Sequence, residues 1–297
     1  MRILCLHGRG TNAAIFEQQL QPLIRRLPAH YQYDFVDGPV PVNPAPGIAD
    51  HSAGPYLAWH RRSFSDEVEE AHGFLSSIVS EDGPYDGVIG FSQGAGMAAG
   101  LLIAASTWGG EAAAAAQGAA PPFRFAIFLC SQLPLATSWA AAAVGSSAFL
   151  ADLTDEALEY ERRPAMAEFL GLTDSERAVG RDTPPGCGNG GGRKIYRYGL
   201  GPLEAPAESQ TGHAGRTGGG DGGGGPLVGV PTLHLVSPAD GFEPFGRQVA
   251  SLCDPARARL VSSPSGHMVP HDPELLDKLA AEIQDLVVEA ELVDCLS

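Results

Sequence analysis

Six short runs of the chain read as strands, several of them apolar almost without interruption: "RILCLH" (2–7), "YQYDFVDG" (31–38), "YDGVIGF" (85–91), "FRFAIFLC" (123–130), "TLHLVS" (232–237) and "ARLVSS" (258–263). A strand with one wet face alternates polar and apolar residues. A run that stays apolar suits a strand covered by helices on both sides. Longer segments with a helical period lie between these runs. "NAAIFEQQLQPLIRRL" (12–27) brings Ile15, Leu20, Leu23, Ile24 and Leu27 to one face, with Asn12 as its N-cap. "SFSDEVEEAHGFLSSIV" (63–79) is a second helix, whose acidic residues Asp66, Glu67, Glu69 and Glu70 form a solvated face. A last helix starts at Asp272-Pro273, a cap followed by proline in the first turn, and carries a stripe of Leu275, Leu276, Leu279, Ile283, Leu286 and Val287. Strands alternating with helices predict an α/β fold with a mostly parallel, doubly wound sheet.

The rhythm breaks between the fourth and fifth strands. From Gln132 to Leu227 no strand is legible, and the segment reads as a lid or insert within a single domain of 1–297. Its first part holds short helical candidates, "ATSWAAAAV" and "TDEALEYERRPAMAEFLGL". Its second part, 184–226, is dominated by glycine and proline, which predicts a flexible stretch with little apolar surface to bury. The alanine run 112–116 is a lesser insertion.

The third strand runs directly into Gly90-Phe91-Ser92-Gln93-Gly94 and then a small-residue helix. That is the G-x-S-x-G pattern of a nucleophile elbow, in which the serine occupies a strained strand-to-helix turn and the flanking glycines admit the neighbouring chain. As mere packing, the same residues would be a plain strand-turn-helix junction. A serine hydroxyl needs a base, and the base needs a carboxylate to orient it. Loops at the carboxyl ends of later strands offer Asp240, in "SPADGFEP", and His267, in "PSGHMVPHDP". Their order along the chain, Ser then Asp then His, is that of this fold. Other histidines read differently: His271 as surface, His234 and His7 as structural, and His213 as exposed in the glycine-rich stretch. The oxyanion donors expected are the backbone N–H of Gln93 and one from "HGRGTN", Arg9 first and Gly10 next. Phe16, Tyr56, Trp59 and Leu133 are candidates for the acyl pocket, with ordinary core packing as the competing role.

Charge and cysteine content narrow the partners. Against 19 basic residues stand 35 acidic ones, a net charge of −16 over 297 residues. Such a chain repels phosphate backbones and anionic lipid, so neither nucleic acid nor a membrane surface is expected as partner. No apolar run is long enough to span a bilayer, and "ILCLHG" is too short for a signal-peptide core. Five scattered cysteines lack metal-ligand spacing, which favours a reducing, cytoplasmic setting and no metal.

"ILCLHGRGTNAAIFEQQL", "DFVDGP", "GPYLAWH", "GVIGFSQGAGMAA", "FAIFLCSQLP", "GVPTLHLVSPAD" and "SGHMVP" together give a resemblance. The chain resembles the serine hydrolases widespread in fungi, an α/β-hydrolase group similar to acyl-protein thioesterases. The resemblance implies a triad of Ser92, Asp240 and His267, oxyanion donors at Arg9 and Gln93, and ester or thioester hydrolysis with no cofactor. It also implies a small acyl substrate released from the carrier protein of a polyketide synthase in secondary metabolism, or an ester trimmed. The sequence departs from the group where a glycine commonly precedes the acid: here it reads Ser237-Pro238-Ala239-Asp240. Its insert is also longer and richer in glycine. Competing readings are a carboxylesterase or acyltransferase with the same triad, a non-catalytic binding protein of this fold, and a nucleotide or redox protein. The last lacks its glycine fingerprint.

Overall fold

A computed structural model describes residues 1–108, 121–137, 150–153, 157–159, 163–174, 195–198 and 227–296. Six strands form one sheet, every neighbouring pair parallel: β1 (Arg2–Leu6), β2 (Gln32–Val36), β5 (Gly87–Phe91), β6 (Phe125–Leu129), β10 (Thr232–Val236) and β11 (Ala258–Ser262). They lie in the order β11-β10-β6-β5-β1-β2. These are the six runs read from the sequence, each trimmed by one to three residues.

Alternate residues of each strand enter different cores. Ile3, Cys5, Ile89, Phe91, Ile127 and Leu129 face α1 (Ala13–Ile24) and α6 (Pro273–Leu296). Leu4, Leu6, Val88, Ala126 and Phe128 face α2 (Ser65–Asp82), α3 (Gln93–Trp108) and α5 (Glu243–Ser251). Both faces of the four inner strands, β1, β5, β6 and β10, are therefore dry, which is why these strands show no polar alternation, while the edge strands β2 and β11 are partly exposed. A fully buried Leu such as Leu4 or Leu6 contributes roughly 1.5–3 kcal/mol. The cap predicted for α1 is in place: Asn12 Oδ1 accepts the Ile15 N–H at 2.8 Å. Asp272 Oδ1 likewise accepts the Leu275 N–H at 2.9 Å, and the predicted stripe of α6 is buried from Leu275 to Val287.

Elements shorter than a period went unread. β3 (Val40–Pro41) pairs with β4 (Leu57–Ala58), and β7 (Leu135–Ala136), β9 (Tyr196–Tyr198) and β8 (Leu150–Asp152) form a three-stranded antiparallel sheet. With α4 (Pro164–Leu170), that sheet belongs to the insert. Residues 195–198 depart from the expectation for 184–226: Ile195, Arg197 and Tyr198 are buried, with β9 between its two partners. The rest of 184–226 and the alanine run 112–116 lie outside the described residues. Among the described residues, no helix is long and apolar enough to cross a membrane.

The strand order sets where a site can form. From β1 the chain steps to β2 on one side and later to β5 on the other, so the order reverses between β1 and β5. A crevice opens beyond the carboxyl ends of strands at such a point. The loops leaving β1 and β5 carry "HGRG" and Ser92.

Candidate active site

Ser92 follows the last residue of β5 with φ +52°, a left-handed conformation that a non-glycine residue adopts at a cost. The surroundings hold it there. Its N–H donates to Leu129 O at 2.9 Å, and its carbonyl accepts from Gly96 and Gln132 at 3.2 Å. The two flanking glycines are steric necessities. A Cβ on Gly90 would lie 2.5 Å from Ala95 Cα, and one on Gly94 would overlap the Leu6 carbonyl. The serine side chain is thereby raised at the start of α3, beside the loop after β1. A Cβ on Gly8 would stand only 3.3 Å from Ser92 Cβ.

Two further loops converge on Ser92. His267 Nε2 lies 2.9 Å from Ser92 Oγ, and His267 Nδ1 lies 2.7 Å from Asp240 Oδ2. The Asp240 side chain is 2% exposed, whereas that of His267 is 30% exposed, so the carboxylate is enclosed while the ring meets solvent. Phe91 and Phe242 pack on the imidazole at centroid distances of 5.1 and 4.9 Å and fix its plane. With Nδ1–H donated to the carboxylate, Nε2 is left to accept the serine proton, which is the arrangement general-base chemistry requires.

The turn before the acid is built without the glycine common in similar sequences. Asp240 N–H donates to Ser237 O at 2.9 Å, and Asp240 Oδ1 accepts from Phe242 N at 2.9 Å. Ser237 Oγ accepts the N–H groups of Ala239 (3.3 Å) and Gly266 (3.0 Å). A single buried hydroxyl thus ties the acid loop to the histidine loop.

On the oxyanion side, the Gly10 N–H is donated to Leu57 O at 2.8 Å, which removes it from consideration and leaves Arg9 from that loop. The Gln93 side chain anchors the 59–60 backbone: Oε1 accepts the Trp59 N–H at 3.0 Å and Nε2 donates to His60 O at 2.9 Å. Arg9 Nη1 donates to the same His60 carbonyl at 3.2 Å and to Arg61 O at 2.7 Å. Arg9 and Gln93, the residue after Ser92, both line a cavity of about 320 Å³ between the sheet's carboxyl edge and the insert, whose walls do not include Ser92, Asp240 or His267 themselves.

Of the four residues read from sequence as an acyl pocket, Leu133 lines that cavity and the other three do not. Phe16 is in the core against Phe35 and Phe91. Trp59 is buried, with Nε1 donating to His7 O at 2.9 Å. The Tyr56 hydroxyl donates to Ser52 O. The walls come instead from Leu135, Met166, Phe169, Leu170, Phe242 and Phe245, among others. Phe169 sits in an insert helix and Phe242 just past the acid. The helix with Met166, Phe169 and Leu170 falls within the helical candidate read in the lid segment, and Phe242 lies two residues after Asp240.

His7 and His234 are structural, as their places in strands suggested. His7 Nε2 accepts from Gly38 N at 2.9 Å, and its Nδ1 lies 2.8 Å from Gly8 O. His234 is buried beside Thr232 Oγ1 at 2.9 Å, and burial holds its pKa down to about 3. His271 is exposed, and His213 lies outside the described residues.

Cys130 was not expected near the site. It too has a positive φ, +48°, and its Sγ approaches Gly266 O (3.8 Å) and Met268 O (3.9 Å), the carbonyls on either side of His267. Burial first, and then the charge of Asp240, push its thiol up to about 12. Cys130 Sγ, an Asp240 oxygen and a His267 nitrogen lie within 4.8 Å of one another, a set of metal-ligand types. Each is already engaged, the ring with the carboxylate and the thiol with carbonyls, which fits a hydrogen-bonded relay better than a coordination sphere.

Comparison with known proteins adds the following. The profile of the serine hydrolase (FSH1) family matches residues 1–167, which include Arg9, Ser92 and Gln93. The chain is 28% identical to Esterase FPY3 of Fusarium mangiferae, over 98% of each protein. It is 26% identical to Esterase alnB of Emericella nidulans, over 91% of this chain and 90% of the other. Among solved structures, a carboxylesterase from Mesorhizobium loti aligns with a TM-score of 0.47 at 13% identity, covering 95% of this chain and 88% of that one.

Proposed function

The chain belongs to the FSH1 family of serine hydrolases, and from that premise we propose that it cleaves an acyl thioester, with Ser92 as nucleophile, His267 as general base and Asp240 as the orienting acid. The observation that carries this reading is the unbroken line of hydrogen-bonding distances, Ser92 Oγ to His267 Nε2 to Asp240, drawn from three separate loops.

In this mechanism Ser92 Oγ attacks the acyl carbonyl carbon as its proton passes to His267 Nε2. Asp240 stabilises the imidazolium through Nδ1–H. The N–H groups of Arg9 and Gln93, the latter at the start of α3 where the helix dipole is positive, receive the developing oxyanion. Collapse of the tetrahedral intermediate breaks the C–S bond, and His267 returns its proton to the leaving thiolate. Water then enters, loses its proton to His267 and attacks the acyl-enzyme. The carboxylic acid leaves and the proton returns to Ser92 Oγ. No cofactor takes part.

A thioester is favoured by the resemblance to acyl-protein thioesterases and to fungal hydrolases that release polyketide-type acyl groups from a carrier protein. A largely apolar cavity, walled in part by Gln93 and Phe242, the residues one past Ser92 and two past Asp240, supports an acyl group as its occupant. A carboxyl ester is the second reading, favoured by two esterases to which the chain is similar over more than nine-tenths of its length. Three buried free thiols, Cys5, Cys130 and Cys253, suit a cytoplasmic location.

The test presents one acyl group as carrier-protein thioester, as small-thiol thioester and as methyl ester. The expected order of kcat/KM is thioesters above ester. If the methyl ester is hydrolysed best and the carrier-bound form ignored, the carboxylesterase reading replaces the first. If none is hydrolysed and a fluorophosphonate leaves Ser92 unlabelled, the hydrolytic reading itself fails.

A further inference from the structure

The imidazole of His267 is clamped between two unequal faces. Phe91 packs on it at a centroid distance of 5.1 Å and Phe242 at 4.9 Å. Phe91 is buried in the core, with Phe16 stacked 6.3 Å from it, so that face is fixed. Phe242 is half-buried and stands directly before α5, with Phe245 of the first turn 5.7 Å away. Phe242 and Phe245 both line the cavity. One aromatic side chain therefore belongs at once to the cavity wall and to the clamp on the catalytic base.

We infer that Phe242 is the residue that determines acyl specificity, and that it does so through His267: an acyl group that fills the cavity packs the Phe242 ring against the imidazole, so selectivity is expressed in kcat. This rests on the acyl-hydrolase reading above and deepens it. The hydrogen bond from His267 Nδ1 to Asp240 Oδ2 fixes one point of the imidazole and leaves the tilt of the ring to its packing. Phe91 settles one side, and the half-buried Phe242 settles the other. The Phe242 N–H donates to Asp240 Oδ1 at 2.9 Å, so its backbone braces the acid whatever side chain it carries. Its ring is thus free to serve the cavity and the base.

A short acyl group gives the cavity side of the Phe242 ring little to pack against. One long enough to reach the walls formed by Met166, Phe169 and Leu170 supports Phe242 from behind and holds its contact with His267. Contacts made far from the reacting bond then lower the barrier to reaction. An ordinary wall residue behaves differently. It grips ground state and transition state alike, and so lowers KM with chain length at constant kcat. Met166, on the insert side of the cavity, is such a residue.

The experiment measures kcat and KM separately for acetyl, butyryl, hexanoyl and octanoyl groups, each as the thioester of one small thiol and as the ester of one phenol. The proteins are wild type, Phe242→Leu, Phe242→Tyr and Met166→Ala. In wild type kcat should rise by about tenfold or more from acetyl to the best acyl group, the scale on which positioning of a catalytic group acts. Phe242→Leu should flatten that rise while KM still falls with chain length. Phe242→Tyr keeps the aromatic face and should restore the rise. Met166→Ala should raise KM for the longer groups and keep the rise in kcat. Thermal unfolding reports on packing, and Phe242→Met replaces Phe242→Leu should the latter unfold early. A wild-type kcat that does not change with chain length, or a rise that Phe242→Leu leaves intact, overturns the inference. So does an equal loss of the rise in Met166→Ala, which would make it a property of the whole cavity. In each of those cases turnover and fluorophosphonate labelling of Ser92 leave the reaction standing. No turnover of any substrate and no labelling would instead refute the reaction.

Discussion

His267 Nε2 and Ser92 Oγ stand 2.9 Å apart although 175 residues separate them in the chain. The pair is held from both sides, by the φ +52° turn beneath the serine and by Asp240 behind the ring. Residues that act as one unit lose function together. Ser92→Ala should lower kcat by roughly 10⁵–10⁶-fold with the fold intact, and adding His267→Ala should cost little more. His271→Ala should leave turnover near that of wild type. Steady-state rates of the single and double variants, with circular dichroism for folding, decide this. An active His267→Ala beside a dead His271→Ala would reassign the base.

Glycine substitution should separate the elbow from ordinary helix positions. Gly90→Ala and Gly94→Ala drive a methyl group into Ala95 and the Leu6 carbonyl, so each should cost about 3 kcal/mol or more, or abolish soluble expression. Gly73 lies exposed within α2 with nothing near its Cβ position, and Gly73→Ala should stabilise by about 0.5–1 kcal/mol. Urea unfolding of the three variants gives the comparison. A tolerated Gly94→Ala would mean that the turn is not as tight as described.

The protein should lose stability on mild acidification. Burial lowers His234 to about 3 and His72 to about 4, and His60 is also lowered to about 4. Above pH 6.5 these rings are neutral folded or unfolded and contribute no slope. Below it, the unfolded chain takes up protons that the folded one refuses, so stability falls as pH falls until the folded values are reached. Each ring contributes up to about 1.4 kcal/mol per pH unit. Unfolding free energies measured between pH 6.5 and 5, above most carboxylate titration, should decline steeply. His72→Gln should flatten the decline. A flat profile for the wild-type protein would contradict the burial of all three.

Cys130 should resist thiol reagents despite its neighbours. A thiol beside a histidine is often reactive, but this one is buried against Gly266 and Met268 carbonyls and near the Asp240 carboxylate, and is pushed up to about 12. Activity should survive iodoacetamide at neutral pH, and mass spectrometry should find Cys130 unmodified in the folded protein. Cys130→Val puts a β-branched side chain at φ +48° under the histidine loop. It should lower both stability and kcat, with KM little changed. Prompt alkylation of Cys130 with loss of activity would show that the loop opens far more readily than its packing suggests.

The sequence was legible where a physical constraint acts over several residues. The four inner strands show because both faces are buried, and Asn12 and Asp272 because caps sit at fixed offsets from helical stripes. Ser92 shows because the turn beneath it excludes any side chain at positions 90 and 94. The pocket walls were not legible. Phe16 and Trp59 were chosen for lying near strand ends, but a strand end has two sides, and these residues point into the core. Much of the true wall comes from a two-residue strand (Leu135), from Leu153 and Ile195 at the ends of three-residue strands, and from a seven-residue helix (Met166, Phe169, Leu170), elements too short to display a period. Ser237 was hidden for another reason. It replaces the conformational freedom of a glycine with a side chain that accepts two backbone N–H groups, and that substitution leaves no recurrent pattern.

The insert leaves the sheet after β6 and rejoins it before β10, and those two strands are direct neighbours, registered from Thr232 opposite Ala126 to Leu235 opposite Leu129. Its outgoing end is pinned where Gln132 N–H meets Ser92 O, and its returning end where Leu227 and Val228 N–H groups meet Leu252 O. The sheet is thus already closed across the point of insertion. Ser92, Asp240 and His267 all stand on the closed side, while Met166, Phe169 and Ile195 stand on the other. The molecule behaves as a fixed tool with an exchangeable holder. Segments of different length and sequence spliced between Gln132 and Leu227 should therefore change the walls of the cavity while leaving the Ser92–His267–Asp240 line where it stands.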